Sequence, residues 1–140
     1  MEGMDKLNEI RYTGIRPEER SPVMSELYRK MQPFLGDETK LIQRMAGRMD
    51  LWEECVRLFP GEEILNETDE ALQMGDDTLL YQTIHRLKGN LANFGFDSAA
   101  EKAMGILQAI KEHNRTQIEC SYAKLREEYM QIIERIGDTE

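Results

Sequence analysis

Apolar residues recur at intervals of three and four along most of this chain, which is the spacing of an amphipathic helix. The clearest series lies near the carboxyl end, at Ile118, Tyr122, Leu125, Tyr129, Ile132 and Ile136. No segment alternates apolar and polar residues as a half-buried strand does, and no hairpin signal appears. The pattern therefore predicts an all-α protein.

Capping and helix-breaking residues divide the chain into separate helices. Starts are predicted at Ser21-Pro22, Asp37, Asp50, Asp76 or Asp77, and Asp97 or Ser98. Ends are predicted at Gly47, Pro60-Gly61, Gly75, Gly95 and Asn114. The segment that begins at Asp50 is expected to turn Leu51, Cys55 and Leu58 towards the core.

Four of the predicted helices are long and are joined by short turns, which favours an antiparallel four-helix bundle. Additional short N-terminal helices are expected to pack on the side or end of this bundle. Residues 1–20 are polar and show no helical period. We therefore predict an N-terminal extension with one amphipathic helix at 1–36 and the bundle at 37–140.

Charge and composition argue against several classes of function. The 140 residues carry a formal net charge of −9, which disfavours nucleic acid and anionic membrane surfaces as partners. No window approaches the ~18 consecutive apolar residues of a membrane span, and the first residues lack the pattern of a signal peptide. Cys55 and Cys120 stand singly within apolar patterns and are expected to be reduced core residues. We predict a cytoplasmic monomer.

The segment TIHRLKGNLANFGF, residues 83–96, carries the candidate chemistry. With 100° per residue, its apolar side chains share one side of a helix, and His85 lies about 140° from the centre of that side. Lys88 lies one turn from His85, and Gly89 leaves open space beside the imidazole at a cost of about 1 kcal/mol to the helix. A neutral imidazole has one nucleophilic nitrogen, and a lysine can hold the oxygens of a transferred phosphoryl group.

The run HRLKGNLANFG resembles the signature of the histidine-containing phosphotransfer (HPt) domains of two-component phosphorelays, His-x-x-Lys-Gly with a second glycine after five further residues. The resemblance implies that His85 is the phosphorylated residue, Lys88 its electrostatic partner and Gly89 the clearance position, with Gly95 as the second glycine. It extends upstream through RMAGRMDLWEECVRLFP and covers residues 38–136. The ending NFGF also resembles the phosphotransfer domain of chemotaxis-type kinases.

Family members often place a Gln or Glu on the following helix, about 22 residues after the histidine, to hydrogen-bond the ring. Strict counting from His85 reaches Leu107, whereas a one-residue insertion brings Gln108 into place. We expect Gln108, because this register also aligns Leu107 with a usual apolar position of the family. Around the histidine, Tyr81, Gln82 and Ala92 are predicted to form part of a partner-binding surface.

The resemblance implies a phosphorelay carrier and not an enzyme. His85 would accept a phosphoryl group from the aspartate of a receiver domain, in a response regulator or a hybrid sensor histidine kinase, and pass it to another receiver. The chain has no glycine-rich nucleotide loop, so phosphorylation from ATP by the chain itself is not expected. No cofactor is expected in this chain, and Mg²⁺ is expected on the partner receiver.

Two other interpretations stay open. A non-phosphorylated interaction module that binds and blocks a receiver or kinase would not need His85 and Lys88. A phosphotransfer fragment of a hybrid or chemotaxis-type kinase would be distinguished by the flanking gene sequence. A metal-binding bundle is disfavoured, because neither His85 nor His113 has a carboxylate three residues before it.

Overall fold

The computed structural model describes residues 25–59 and 61–139. These residues form seven α-helices and one 3₁₀ turn, and they contain no strand: α1 (Glu26–Met31), the 3₁₀ turn (Gln32–Phe34), α2 (Glu38–Arg44), α3 (Met49–Arg57), α4 (Glu63–Met74), α5 (Asp77–Asn93), α6 (Asp97–Lys111) and α7 (Arg115–Thr139). The all-α prediction is confirmed. The helix start predicted at Ser21-Pro22 lies outside the described residues.

Helices α4 to α7 form the bundle, in which each helix packs against the next along the chain. Short turns between long helices require neighbours to run antiparallel. The shorter α1 packs on the side of α7, where Arg135 Nη1 donates a hydrogen bond to the carbonyl oxygen of Lys30 at 3.0 Å. Leu27 and Met31 of α1 are fully buried and belong to the same hydrophobic core as the bundle.

A polar cluster joins α4 to α7. The hydroxyl of Tyr122 donates to Asp69 Oδ1 at 2.6 Å, and Arg126 donates to Asp69 Oδ1 at 3.2 Å and to Asp69 Oδ2 at 3.0 Å. Burial, and next the Asp69 carboxylate, raise the pKa of Tyr122 above its ordinary value, so the hydroxyl keeps its proton and stays a donor. A two-oxygen contact of this kind fixes the rotation of α7 against α4.

The predicted inward face of α3 is wrong. The structure buries Met49, Trp52 and Val56, whereas Leu51 and Leu58 are 40% and 84% exposed. Both sets are spaced like one face of a helix, and the two faces lie about 120° apart on the cylinder. The Trp52 side chain determines which face is buried. Its ring packs edge-on against Tyr28 of α1, and its indole N–H donates a hydrogen bond to the carbonyl oxygen of Phe94.

The two cysteines are free thiols, but the expectation that both are core residues is wrong. Cys55 is only partly buried on α3, and Cys120 is exposed on α7. Cys55 lies beside the buried stripe of α3, and Cys120 lies on the opposite side of α7 from its buried stripe, so the surrounding apolar residues misled the prediction.

Asp76, one of the two residues predicted to cap α5, is confirmed, since its carboxylate accepts from the backbone N–H of Leu79 at 3.0 Å. The start predicted at Asp50 is wrong, because α3 begins at Met49 with Arg48 as its cap. At the start of α6, neither Asp97 nor Ser98 is the cap: Phe96 holds that position without a side-chain hydrogen bond. The preceding turn has already satisfied the N–H of Asp97, which donates to the carbonyl oxygen of Gly95 at 2.8 Å.

We predict that Trp52→Phe lowers the free energy of unfolding by about 1–3 kcal/mol. The variant removes the indole N–H that donates to the carbonyl oxygen of Phe94 at 3.0 Å and disturbs the edge contact with Tyr28. Urea unfolding followed by circular dichroism measures the loss. The control is Leu58→Ala, at the exposed residue that follows the last residue of α3, which is expected to stay within about 0.5 kcal/mol of the wild type. Equal losses for both variants would contradict the observed orientation of α3.

Candidate functional site

Helix α5 carries the candidate residues on the side that faces away from the core. Its inward side chains are all buried: Leu80, Thr83, Ile84, Leu87 and Leu91. His85 is exposed, as its place on the opposite side of the cylinder predicts. The packing of α5 therefore presents the imidazole to solvent.

The carboxyl end of α5 is closed by a glycine in the left-handed conformation. Gly95 has a φ of 83°, its N–H donates to the carbonyl of Ala92 at 3.1 Å, and the N–H of Phe96 donates to the carbonyl of Leu91 at 2.9 Å. These two bonds define a Schellman motif. A Cβ at Gly95 would lie 3.1 Å from Leu41, so the position favours glycine by both conformation and space. The predicted stop at Gly95 is confirmed.

Donors from the preceding helices reach the last carbonyl groups of α5. Arg44 of α2 donates to the carbonyl oxygens of Ala92 and Asn93, and the indole of Trp52 donates to that of Phe94. The N–H of Gly36 donates to the carbonyl oxygen of Gly95 at 3.0 Å. Segments outside the four-helix bundle thus hold the helix that carries the histidine.

Around His85, one side is covered by a ring and the other is open. The ring of Tyr81, one turn earlier, lies roughly parallel to the imidazole, with centroids 6.3 Å apart and an interplanar angle of 20°. An added Cβ at Gly89 would meet no atom within 4 Å. Lys88, one turn after the histidine, is half-buried. Within the described part of the chain, the imidazole makes no hydrogen bond.

The remaining predicted residues lie on or beside this surface. Leu107 of α6 is buried with 8% exposure, whereas Gln108 is exposed and its amide nitrogen donates to Glu112 Oε2 at 2.8 Å. Gln82 is exposed on α5, and Ala92 is half-buried near the end of that helix. The structure thus stacks Tyr81 on His85, while Gln108 is hydrogen-bonded to Glu112, which follows the last residue of α6.

One neighbour of the site was missed by the sequence reasoning. Lys111 Nζ, at the end of α6, lies 6.0 Å from the centroid of the Tyr81 ring. Below that ring, a shallow groove of about 360 Å³ is lined by Asp77, Thr78, Tyr81, Gln82 and Ile110. The sequence could have predicted this neighbour from the tight turn at 94–96. In an antiparallel helix pair, residues at about equal distances before and after the turn, such as Tyr81 and Lys111, lie side by side.

The described segments, 25–59 and 61–139, offer no group of three or more His, Cys, Asp or Glu side chains that could hold a metal ion. In the same segments, every helix is too short or too polar to cross a membrane.

A comparison with protein-family models matches residues 60–136, more than half of the chain, to the Hpt domain. The matched region begins between α3 and α4, contains α4, α5 and α6, and includes α7 up to residue 136. Comparisons with curated proteins and with solved structures gave no match.

The unequal burial of two adjacent residues on α6 generates a stability prediction. Leu107→Gln is expected to lower the free energy of unfolding by about 1–3 kcal/mol, because it places an amide where an apolar side chain is buried. Gln108→Leu, the matched exchange at the exposed neighbour, is expected to stay within about 0.5 kcal/mol of the wild type. Thermal and urea unfolding of both variants measure the difference. The reverse order of stabilities would show that Gln108 faces the core.

Proposed function

The chain belongs to the Hpt domain family, and on that premise we propose that His85 accepts a phosphoryl group from one receiver domain and passes it to another. Hpt domains are phosphotransfer carriers of phosphorelays, which interact with receiver domains and have no kinase activity of their own. The observation that carries the proposal for this chain is the exposed imidazole of His85 beside the open space at Gly89.

The transfer is a displacement at phosphorus. A ring nitrogen of neutral His85 attacks the phosphorus of the receiver's aspartyl phosphate, so that an N–P bond forms. The P–O bond to the aspartate breaks, and its electron pair leaves on the carboxylate. The proton on the other ring nitrogen exchanges with solvent, which reaches the exposed ring. Attack by a second receiver's carboxylate reverses these steps, and the Mg²⁺ that stabilises the phosphoryl oxygens belongs to the receiver.

Lys88 is the residue proposed to hold the phosphoryl oxygens from this side. Lys88 follows His85 by three residues on α5, about one helical turn. No carboxylate in the described part of the chain forms an ion pair with it, so its charge is available to an incoming anion. Such a charge-assisted contact is worth most where water is excluded, as it is once a receiver covers the site.

Gln108 is proposed to assist by accepting a hydrogen bond from the ring N–H, which would fix the tautomer with the other nitrogen free. Its amide nitrogen is held by Glu112, and no donor within the described residues is bonded to its side-chain oxygen. Tyr81, Gln82 and Ala92 border His85 and are proposed to contact the receiver.

The first test concerns the phosphorylated atom. His85→Gln is expected to abolish labelling by phosphorylated receivers and to leave the melting temperature nearly unchanged, because the side chain is exposed. The measurement is acid-labile, alkali-stable phosphate on the purified chain after mixing with phosphorylated receivers. His113→Gln is the control, since His113 is exposed beyond the end of α6, and it should be labelled like the wild type. Labelling that persists in His85→Gln would refute the assignment.

A comparison of Gly89 with Gly105 tests whether the open space beside His85 is needed for transfer, separately from the effect of glycine on helix stability. An added Cβ at Gly89 or at Gly105 meets no atom within 4 Å, so either Gly→Ala exchange is expected to stabilise the chain by up to about 1 kcal/mol. Phosphoryl transfer should become slower only for Gly89→Ala, and slower again for Gly89→Gln, because receiver loops must approach the ring there. Gly105 lies about 120° around α6 from Lys111, on the side turned away from α5, so Gly105→Ala and Gly105→Gln should both transfer normally.

Stopped-flow or quenched-flow transfer rates and melting temperatures are measured on all four variants. Normal transfer by Gly89→Gln would show that the open space has no part in the reaction.

A further inference from the structure

We propose that Tyr81 is a positioning residue for the phosphotransfer reaction, holding the imidazole of His85 through ring stacking. The inference rests on the proposed function, because it assigns a role in the reaction of His85. It goes beyond partner contact, since the role belongs to the free chain before any receiver binds.

The first argument is the geometry of the pair. The two rings are stacked at an interplanar angle of 20°, with centroids 6.3 Å apart. The lone pair of an imidazole nitrogen lies in the plane of the ring, so a neighbour on the ring face leaves the reacting edge uncovered. Gly89 keeps the other side of His85 clear. Stacking by Tyr81 therefore limits rotation of the nucleophile without blocking in-line attack.

The second argument is that Tyr81 is itself held in place. Its ring is partly buried against the hydrophobic core, and Lys111 Nζ of α6 lies 6.0 Å from its centroid, within the range of a cation–π contact. An exposed side chain without such a neighbour changes rotamer on the picosecond to nanosecond scale. In the described part of the chain no hydrogen bond restrains the imidazole, so the Tyr81 ring is the contact that restrains it.

Two other roles for Tyr81 would give experimental results different from those of a positioning residue. Aromatic pairs one turn apart also stabilise helices, and a tyrosine on an exposed surface can bind a partner directly. A purely structural contact would change the melting temperature and leave the intrinsic reactivity of His85 unchanged. A purely partner-binding residue would affect transfer from a receiver but not phosphorylation by a small molecule.

The experiment measures phosphorylation of His85 by phosphoramidate, a donor that needs no docking surface. The nitrogen of His85 forms the new N–P bond, the P–N bond of phosphoramidate breaks, and ammonia leaves with its proton. Tyr81→Leu is expected to lower this rate about five- to tenfold, as loss of orientation does. Tyr81→Phe keeps the ring and should stay within about twofold of the wild type. Gln73→Ala, at an exposed position of α4 outside the site, is the control and should react like the wild type.

A second measurement tests the contact itself. In proton NMR spectra, the imidazole protons of His85 should show a ring-current shift in the wild type and in Tyr81→Phe that disappears in Tyr81→Leu. Equal phosphoramidate rates for all variants would overturn the proposal, and so would a loss confined to transfer from phosphorylated receivers. If receivers never label the wild type, the proposed function fails, while the phosphoramidate rates and NMR shifts still decide the role of Tyr81.

Discussion

The buried turn between α5 and α6 constrains where the neighbouring segments can lie. Carbonyl groups at a helix end that are buried away from water need hydrogen-bond donors from elsewhere in the chain. This turn is buried: Gly95 and Phe96 are inaccessible, and Phe94 is partly so. Its carbonyl groups are met by donors from Gly36 and Trp52, which come from the segments that precede the bundle. The positions of α2 and α3 follow from this requirement as much as from apolar burial.

The exposure of the histidine follows from how α5 is flanked. On one side, Arg86 forms an ion pair with Glu67 of α4, with N and O atoms 2.8 Å apart. On the other side, Tyr81 approaches Lys111 of α6. A helix with two flanking neighbours and a core beneath it leaves one stripe of its surface uncovered. His85 lies on that stripe, so the bundle gives the imidazole a rigid backbone and open access without a cavity.

The sequence predicted those features that depend on local chemistry. The outward direction of His85 and the stop at Gly95 follow from helical period and from the conformational freedom of glycine. The inward face of α3 did not follow, because Leu51 and Trp52 belong to two different apolar stripes, and the contacts that distinguish them, with Tyr28 and with the Phe94 carbonyl, are distant in sequence. The position of Lys111 beside Tyr81 required the register of α5 against α6. Periodicity within either helix alone does not give that register.

The acidic character of the chain is compatible with a phosphoryl carrier because charges act over short distances in salt. The net charge is −9, yet the screening length is about 8 Å at physiological ionic strength, so the phosphoryl group proposed at His85 would respond mainly to its immediate neighbours. The cation of Arg86 is engaged by Glu67, whereas Lys88 has no carboxylate partner among the described residues. A nearby cation such as Lys88 can therefore stabilise a bound anion, even though the net negative charge of the chain repels polyanions. This arrangement favours an anion delivered by direct contact with a protein over one captured from bulk solution.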